Sequence, residues 1–315
     1  MSATSSTTGT AATSTGRVAI SFTSGGVECA AWHYPGTNGA CVVMAGGFAV
    51  TKEPGTDLFA RAFADAGFTV LAFDHRHLGG SGGTPRQVAP VREQLEDWYA
   101  ALGCATTLPG VDPARLAAWG FSVSGGHVVR VAARWPGLGA AIAQTPNVDG
   151  PAAARNAARW TTRAALVRLL CRGLLDTFRG FVGAEPLLVP LVGPPGTVAL
   201  LSSPDAQADG DRALDPDGRH PGWVRAVAAR SALAVTAYRP GRDASRVACP
   251  LLVVVAEQDR SAPAGPAARA AGAAPRGELV RLAGGHYTAF LDAHARAVDA
   301  ELSFLRRHLL PPVPA

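Results

Sequence analysis

Short runs of strand character alternate with segments of helical spacing along most of this chain, and no other feature constrains its fold as tightly. Residues 40–45, 68–73, 115–121, 138–144, 251–256 and 278–282 are the runs. Their near-continuous apolar character suits strands buried on both faces of a parallel sheet. Between or after them lie predicted helices over 56–66 (ended by Gly67), 91–106 (entered after Pro90), 122–134 (stopped at Trp135-Pro136), 264–273 and 286–309. Such alternation implies right-handed crossovers between parallel strands. Residues 17–22 and 27–34, joined through Thr23-Ser24-Gly25-Gly26, read as a hairpin in front of them.

The alternation breaks after residue 145 and resumes near 247. The expected division is therefore a tail over 1–16, a first core part over 17–145, a helical cap over 146–246, and a second core part over 247–315. An insertion at that place covers the C-terminal edge of the sheet, where α/β folds bind ligands. Within it, residues 161–181 space Leu166, Leu170, Leu174 and Phe178 four apart, opposite Arg168, Arg172, Asp176 and Arg179. This stripe is expected to dock the cap on the sheet or to line an acyl pocket. A surface membrane helix ranks behind both, because a cap already accounts for an apolar face. Gly173 is expected to weaken the helix near its centre and permit a bend. If the stripe is cap core, residues 221–238 are the next source of pocket wall.

Composition narrows the partners. Hydrophobic residues make up 48% and charged residues 17% of 315, enough for a substantial core. The formal net charge is +5, but the arginines form no run of five or six like charges, which argues against nucleic acid. Five cysteines without a Cys-x-x-Cys read as free thiols of a reducing, cytoplasmic compartment. Residues 1–16 lack the basic and apolar regions of a secretory signal and cannot build a core, so they read as disordered. No run of 18 uncharged apolar residues offers a membrane span.

The chemistry begins at Trp119-Gly120-Phe121-Ser122-Val123-Ser124-Gly125-Gly126. A strand runs straight into a helix with a serine at the corner, and small residues two before and two after it keep that corner tight. Ser124 is the weaker nucleophile, since it would lie inside the helix. Asp259 follows the strand 251–256, and His286 follows Ala283-Gly284-Gly285 after the strand 278–282. Each then sits past the C-terminal end of its own strand, so Ser122, Asp259 and His286 converge at one sheet edge in the order Ser, Asp, His. His286 would take the Ser122 proton, and Asp259 would fix its tautomer. The N–H of Val123 and one from Gly46-Gly47-Phe48-Ala49 would form an oxyanion hole, with Phe48 preferred and Ala49 in reserve. His75 and His77, also past a strand end, are weaker candidates for substrate contact, as are Leu170 and Leu174. Arg76 is expected in structural ion pairs, and His127 as a packed residue. No His-Glu-x-x-His or phosphate loop occurs, so neither a metal nor a cofactor is expected.

Over residues 17–309 the chain resembles the α/β-hydrolase superfamily. Phe73-Asp74-His75-Arg76-His77-Leu78-Gly79-Gly80-Ser81 with Pro85-Arg86-Gln87, then Gln94-Leu95-Glu96-Asp97-Trp98, then Leu108-Pro109-Gly110-Val111-Asp112-Pro113, is similar to a dienelactone-hydrolase-like branch. That branch includes hydrolases and acyltransferases linked to polyketide pathways. Ser122, Asp259 and His286 fall on its triad positions, and Gly46 stands where relatives often carry the histidine of a His-Gly pair. The resemblance implies an α/β-hydrolase fold, a mostly parallel central sheet flanked by helices, with a helical cap inserted before the late strands.

Together these readings predict a serine hydrolase of a carboxylic ester or thioester. It would work through an acyl-Ser122 intermediate on an apolar or polyketide-like acyl group. The alternative is an acyltransferase or cyclase using the same acyl-enzyme with an alcohol. The expected partner is a small molecule, free or carrier-protein-bound, and a homo-oligomer stays open. A non-catalytic binding protein on the same scaffold would show a broken triad, and this one is intact.

Overall fold

The computed structural model describes residues 16–311. The tail expected over 1–16 lies outside them except for Gly16, as do residues 312–315. Among the described residues ten strands form: β1 Val18–Ser24, β2 Val27–Tyr34, β3 Cys41–Ala45, β4 Thr69–Phe73, β5 Leu116–Phe121, β6 Ala140–Gln144, β7 Leu188–Pro190, β8 Ala226–Ala228, β9 Leu251–Ala256 and β10 Gly277–Leu282. Eight of them build one sheet in the order β1-β2-β4-β3-β5-β6-β9-β10. The β1–β2 hairpin is antiparallel, and β2 joins β4 antiparallel. Every later pair is parallel. Gly25 and Gly26 both take positive φ at the hairpin turn, which glycine adopts without strain.

The helices are α1 Thr56–Asp65, α2 Val91–Ala105, α3 Val123–Ala132, α4 Gly150–Ala157, α5 Arg163–Phe181, α6 Pro204–Leu214, α7 Ala229–Ala237, α8 Ala264–Ala273 and α9 His294–Leu309. They make two layers. Phe59 and Phe63 of α1 and Phe304 and Leu305 of α9 cover one face of the sheet. Trp98 of α2, Val128 and Val129 of α3 and Ala267 of α8 cover the other. Strands β3, β4, β5, β6 and β9 are buried along their whole length. The continuous apolar runs therefore mark central strands.

Segment 146–246 carries α4 to α7 and the two-stranded β7–β8 sheet. It is anchored on the rest by apolar packing, with Leu214, Trp223 and Val227 in the cluster that holds Phe59 and Phe290, and by polar contacts. Gln87 donates its side-chain amide to the carbonyl of Ala226, its own carbonyl accepts from Ala228, and Ser231 Oγ accepts from the Ala89 N–H. One expectation fails here. The last helix starts at His294 rather than at His286, and residues 286–293 form an irregular stretch with a 3-10 turn at Thr288–Phe290. Tertiary packing overrides helical propensity there: the Tyr287 and Phe290 rings pack against Phe121, and Phe290 also against Phe59. Gly173 lies inside α5, which runs unbroken from Arg163 to Phe181. A Cβ there would meet Leu233 at 2.5 Å, so the glycine lets α5 approach α7 closely.

One buried acid gives a test of the core. Glu301 of α9 is fully buried, and its Oε2 accepts from Trp119 Nε1 at 2.9 Å. Burial holds its carboxyl well above the ordinary glutamate range. The folded state thus favours the neutral acid, so its stabilising contribution is complete below the unfolded pKa and is lost as pH rises through the raised folded value. Glu301→Gln keeps an acceptor for Trp119 and removes the ionisation. The variant is expected to melt at least about 2 °C higher at pH 8, with the gain vanishing toward pH 4. Calorimetry across pH checks this, and a variant less stable at pH 8 would contradict it.

Candidate functional site

Ser122 stands between β5 and α3 with φ 56° and ψ −116°. This backbone conformation is costly for a residue with a side chain and persists only where its surroundings enforce it. They do so here. The Gln144 carbonyl accepts from the Ser122 N–H at 2.9 Å, and the Ser122 carbonyl accepts from the N–H of Gly126 and Asn147 at 3.1 and 2.9 Å. A Cβ on Gly120 would collide with the Ser124 carbonyl, and one on Gly125 would sit 2.9 Å from Pro146. The tight corner read from the sequence needs these small residues. Ser124 is buried inside α3.

The turn aims Ser122 Oγ at His286, whose Nε2 lies 3.0 Å away. His286 Nδ1 lies 2.7 Å from Asp259 Oδ2. Asp259 Oδ1 accepts from the N–H groups of Ser261 and Ala262 at 2.8 and 2.6 Å, which fixes the carboxylate plane. Both side chains are buried, 2% exposed for His286 and 1% for Asp259, so bulk water does not screen the pair. The structure brings the three residues expected from the sequence into one hydrogen-bonded line. Phe48 and Val123 flank Ser122, and Gly47 comes so close that a Cβ on it would touch Phe121 at 3.0 Å and Ser122 at 3.5 Å.

Two cavities meet at Ser122. The wider, about 340 Å³, is bounded by His286, Tyr287, Trp223, Gln207, Asp211 and Arg225 among others. Arg225 reaches Asp211 at 2.8 Å and Asp215 at 3.0 Å, so its charge is paired in place. The narrower, about 150 Å³, is walled by Ala153, Ala157, Leu166, Leu169, Ala232 and Leu233, and His286 does not border it. Leu200, Leu201 and Phe48 line both. Residues 221–238 thus supply wall to each cavity.

Several weaker expectations are corrected. Leu170 and Leu174 are exposed, and Leu166 and Leu169 line the narrow cavity instead. The reason is helical drift: steps of four residues advance the stripe by about 40° each, so it winds away from the site. His75 and His77 border neither cavity. His75 Nδ1 lies 3.3 Å from Asp97, and His77 Nε2 lies 2.8 Å from Glu93, so both are held by α2. Ala49 is buried outside the cavities, and its carbonyl accepts from Trp223 Nε1 at 3.0 Å. Asp176, read as part of a polar face, is fully buried and accepts from the N–H of Leu187 and Arg230. Arg76 does form ion pairs, with Asp97 and Glu96, and His127 is packed between Tyr238 and Gln94. Among the described residues no group of histidine, cysteine and carboxylate side chains is placed to hold a metal ion.

Sequence reading missed Asp205, and it reached Trp223 only as part of the stretch 221–238. Asp205 Oδ2 accepts from the N–H of His286 and of Arg260 at 3.3 and 3.2 Å, tying α6 to both loops of the site. Its only local signal is Ser203-Pro204-Asp205, a helix start. Trp223 lies in a stretch without periodicity.

A family model described as "Serine aminopeptidase, S33" matches residues 36–287, from just after β2 through His286. The chain belongs to this family. It is accordingly an enzyme of the serine hydrolase type. The quorum-quenching protein AidA of Acinetobacter baumannii is 38% identical over 293 residues, covering 91% of this chain and 94% of its own length. A polyketide transferase of Aspergillus fumigatus is 31% identical over 168 residues, 52% of this chain and 54% of its own. The crystal structure of the α/β-hydrolase GrgF from Penicillium sp. sh18 superposes with a TM-score of 0.77 at 24% identity, covering 93% of this chain and 99% of that one. The α/β-hydrolase fold expected from the sequence is therefore the fold observed. No helix among the described residues is long and apolar enough to cross a membrane.

Proposed function

We propose that this hydrolase transfers acyl groups through Ser122, cleaving an ester or thioester whose acyl part is apolar. The observation that carries the reading is Ser122 at a strained strand-to-helix corner, 3.0 Å from a histidine that is itself 2.7 Å from a buried carboxylate. Ser122 Oγ attacks the carbonyl carbon as His286 Nε2 takes its proton. The developing oxyanion is held by the N–H groups of Val123 and Phe48. His286 then returns the proton to the departing oxygen or sulfur, leaving acyl-Ser122. An incoming water or alcohol attacks the acyl carbon as His286 takes its proton; the acyl–serine bond then breaks and His286 returns that proton to Ser122 Oγ, releasing the acid or the new ester.

The two cavities support a placement for each half of the substrate. The leaving group must stand beside the histidine that protonates it, so it occupies the wider cavity, which His286 borders. The acyl chain occupies the narrow, alanine- and leucine-walled cavity, which His286 does not border. Segment 146–246 serves as the cap, since it supplies most of that wall, from α4, α5 and α7 and from the stretch that holds Leu200 and Leu201.

A second reading is acyl transfer to an alcohol. The wider cavity, with Gln207, Asp211 and Arg225 at its wall, has room and polar groups for an acceptor. Relatives named as polyketide transferases support this reading, and one named as a thiohydrolase supports hydrolysis. Incubation with an acyl thioester and graded alcohols, followed by mass spectrometry, separates them: free acid alone means hydrolysis, ester product means transfer. Neither product from a folded protein would remove both.

Acyl selectivity tests the cavity assignment. Ala153→Phe fills the narrow cavity and is expected to lower kcat/KM for long acyl esters by roughly 10–200-fold relative to acetyl esters. Leu169→Ala enlarges it and should shift the optimum to longer or bulkier chains. A common fall for all lengths would mean that the acyl chain lies elsewhere.

A further inference from the structure

Helix α5 has a face that the site does not use. Of the exposed large apolar side chains, seven lie between Val167 and Val182. On α5 itself they are Val167, Leu170, Leu174, Leu175, Phe178 and Phe181, from 49% to 84% exposed. At about 100° per residue these six fall on one side of the helix. The buried side carries Ala165, Gly173 and Asp176, with Leu166 and Leu169 toward the acyl cavity. Monomeric proteins seldom expose a contiguous apolar surface of this kind without a partner for it. A cap position would account for an apolar face by burying it, and here Leu170, Leu174 and Phe178 stay exposed.

Charge identifies the partner. From the first residue of α4 to the last of α5 the chain holds Arg155, Arg159, Arg163, Arg168, Arg172 and Arg179 against one acid, Asp176. Asp176 is fully buried and occupied by the N–H groups of Leu187 and Arg230. The whole chain has 29 basic and 24 acidic residues, so outside this segment the counts are equal at 23 each. A surplus of five positive charges thus lies in the segment 150–181, which includes the exposed apolar face. Arg168, Arg172 and Arg179 share the flank of α5 beside that face. The acid following the helix is Glu185, whose carbonyl accepts from Arg179.

We propose that α5 is an interfacial helix that seats the protein on an anionic lipid surface, with the Leu and Phe face in the acyl boundary and the arginines among the headgroups. An apolar stripe flanked by cationic side chains is the composition that binds in the plane of such an interface. A second copy of this chain fits less well, because it brings the same cationic segment to a face that carries no exposed acid. An acidic protein would answer the arginines but not six large apolar side chains along five turns. On the lipid, the same helix presents Leu166 and Leu169 to the cavity beside Ser122, so a lipid-dissolved acyl substrate would be concentrated at its binding site.

The test uses the full chain and vesicles of phosphatidylcholine with or without an equal part of phosphatidylglycerol. Cys171 is exposed on the same stretch of α5, while Cys29, Cys41 and Cys249 are buried. In a Cys104→Ser background it accepts an environment-sensitive thiol fluorophore. The expected result is cosedimentation with anionic vesicles, a blue shift of the label, and at least about tenfold weaker binding to pure phosphatidylcholine or in high salt. Phe178→Asp with Phe181→Asp, and separately Arg168→Gln with Arg172→Gln, should each lower the partition coefficient tenfold or more, while melting temperature and turnover of a short soluble ester stay unchanged. Lack of anionic-vesicle binding by the folded protein overturns the proposal. So does a dimer that Phe178→Asp dissociates without any lipid binding, or salt-sensitive capture of an acidic carrier protein with no binding to vesicles. Because partitioning needs no turnover, a failure of the acyl-serine reading would leave this result standing.

Discussion

Ser122→Ala is expected to lower kcat on an activated ester by about 10⁶-fold, leaving only what the oxyanion hole and binding supply. The loss is that large because no neighbouring group can replace the Oγ. Ser124 is buried inside α3, and His286 Nε2 points at Ser122. His286→Ala should cost about as much, and the double variant no more than either, since nucleophile and base act in one step. The same geometry predicts the labelling pattern. A fluorophosphonate should modify the Ser122 peptide alone, and His286→Ala should abolish that labelling while Ser122 is still present. Label on Ser124, or turnover within tenfold of wild type in Ser122→Ala, would remove the assignment. Melting temperature should stay nearly unchanged in Ser122→Ala, because alanine keeps the Cβ and with it the strained corner at φ 56°.

How much of this was legible in advance differs by element, for physical reasons. Central strands announce themselves because burial on both faces demands continuous apolar sequence, so β9 was read to the residue. Serine, aspartate and histidine were found because each follows a strand and the crossover rule brings strand ends to one edge. Position past a strand end does not give side-chain direction, however. His75 and His77 occupy the right kind of place and turn instead to Asp97 and Glu93 on α2. The acids that capture them were visible in the sequence, but their pairing is a tertiary fact. The error over α5 is of another kind. Periodicity reveals a stripe but not which side faces inward, and here the inward side is made of small residues, alanine and glycine, with one buried aspartate. Close approach to α7 selects Gly173, while the large apolar side chains face outward. The cavity walls at Leu191, Leu200, Leu201 and Trp223 come from Pro/Gly-broken sequence with no period to read.

Asp259→Asn is expected to lower kcat by about 10⁴-fold without unfolding the protein, and its local geometry says why a near-isosteric change does so much. An asparagine at this position is not free to choose its orientation. The N–H groups of Ser261 and Ala262 both point at the Oδ1 position, at 2.8 and 2.6 Å, so the amide oxygen must occupy it. The amide nitrogen then takes the place of Oδ2, 2.7 Å from His286 Nδ1, and donates a hydrogen bond where the carboxylate accepted one. His286 must therefore accept at Nδ1 and carry its proton on Nε2. That proton faces Ser122 Oγ across 3.0 Å, and the nitrogen that should take the serine proton is blocked. The imidazolium that forms during attack also loses its buried counter-charge. Fluorophosphonate labelling of Ser122 should slow by a similar factor, because it needs the same proton transfer, while KM for a soluble ester should change little. Near-normal turnover in this variant would mean that another acid orients His286. Other carboxylates at this edge are already committed, Asp205 to the N–H groups of His286 and Arg260, Asp149 to the N-terminus of α4 and Asp74 to Lys52, so that outcome would require rearrangement of the site.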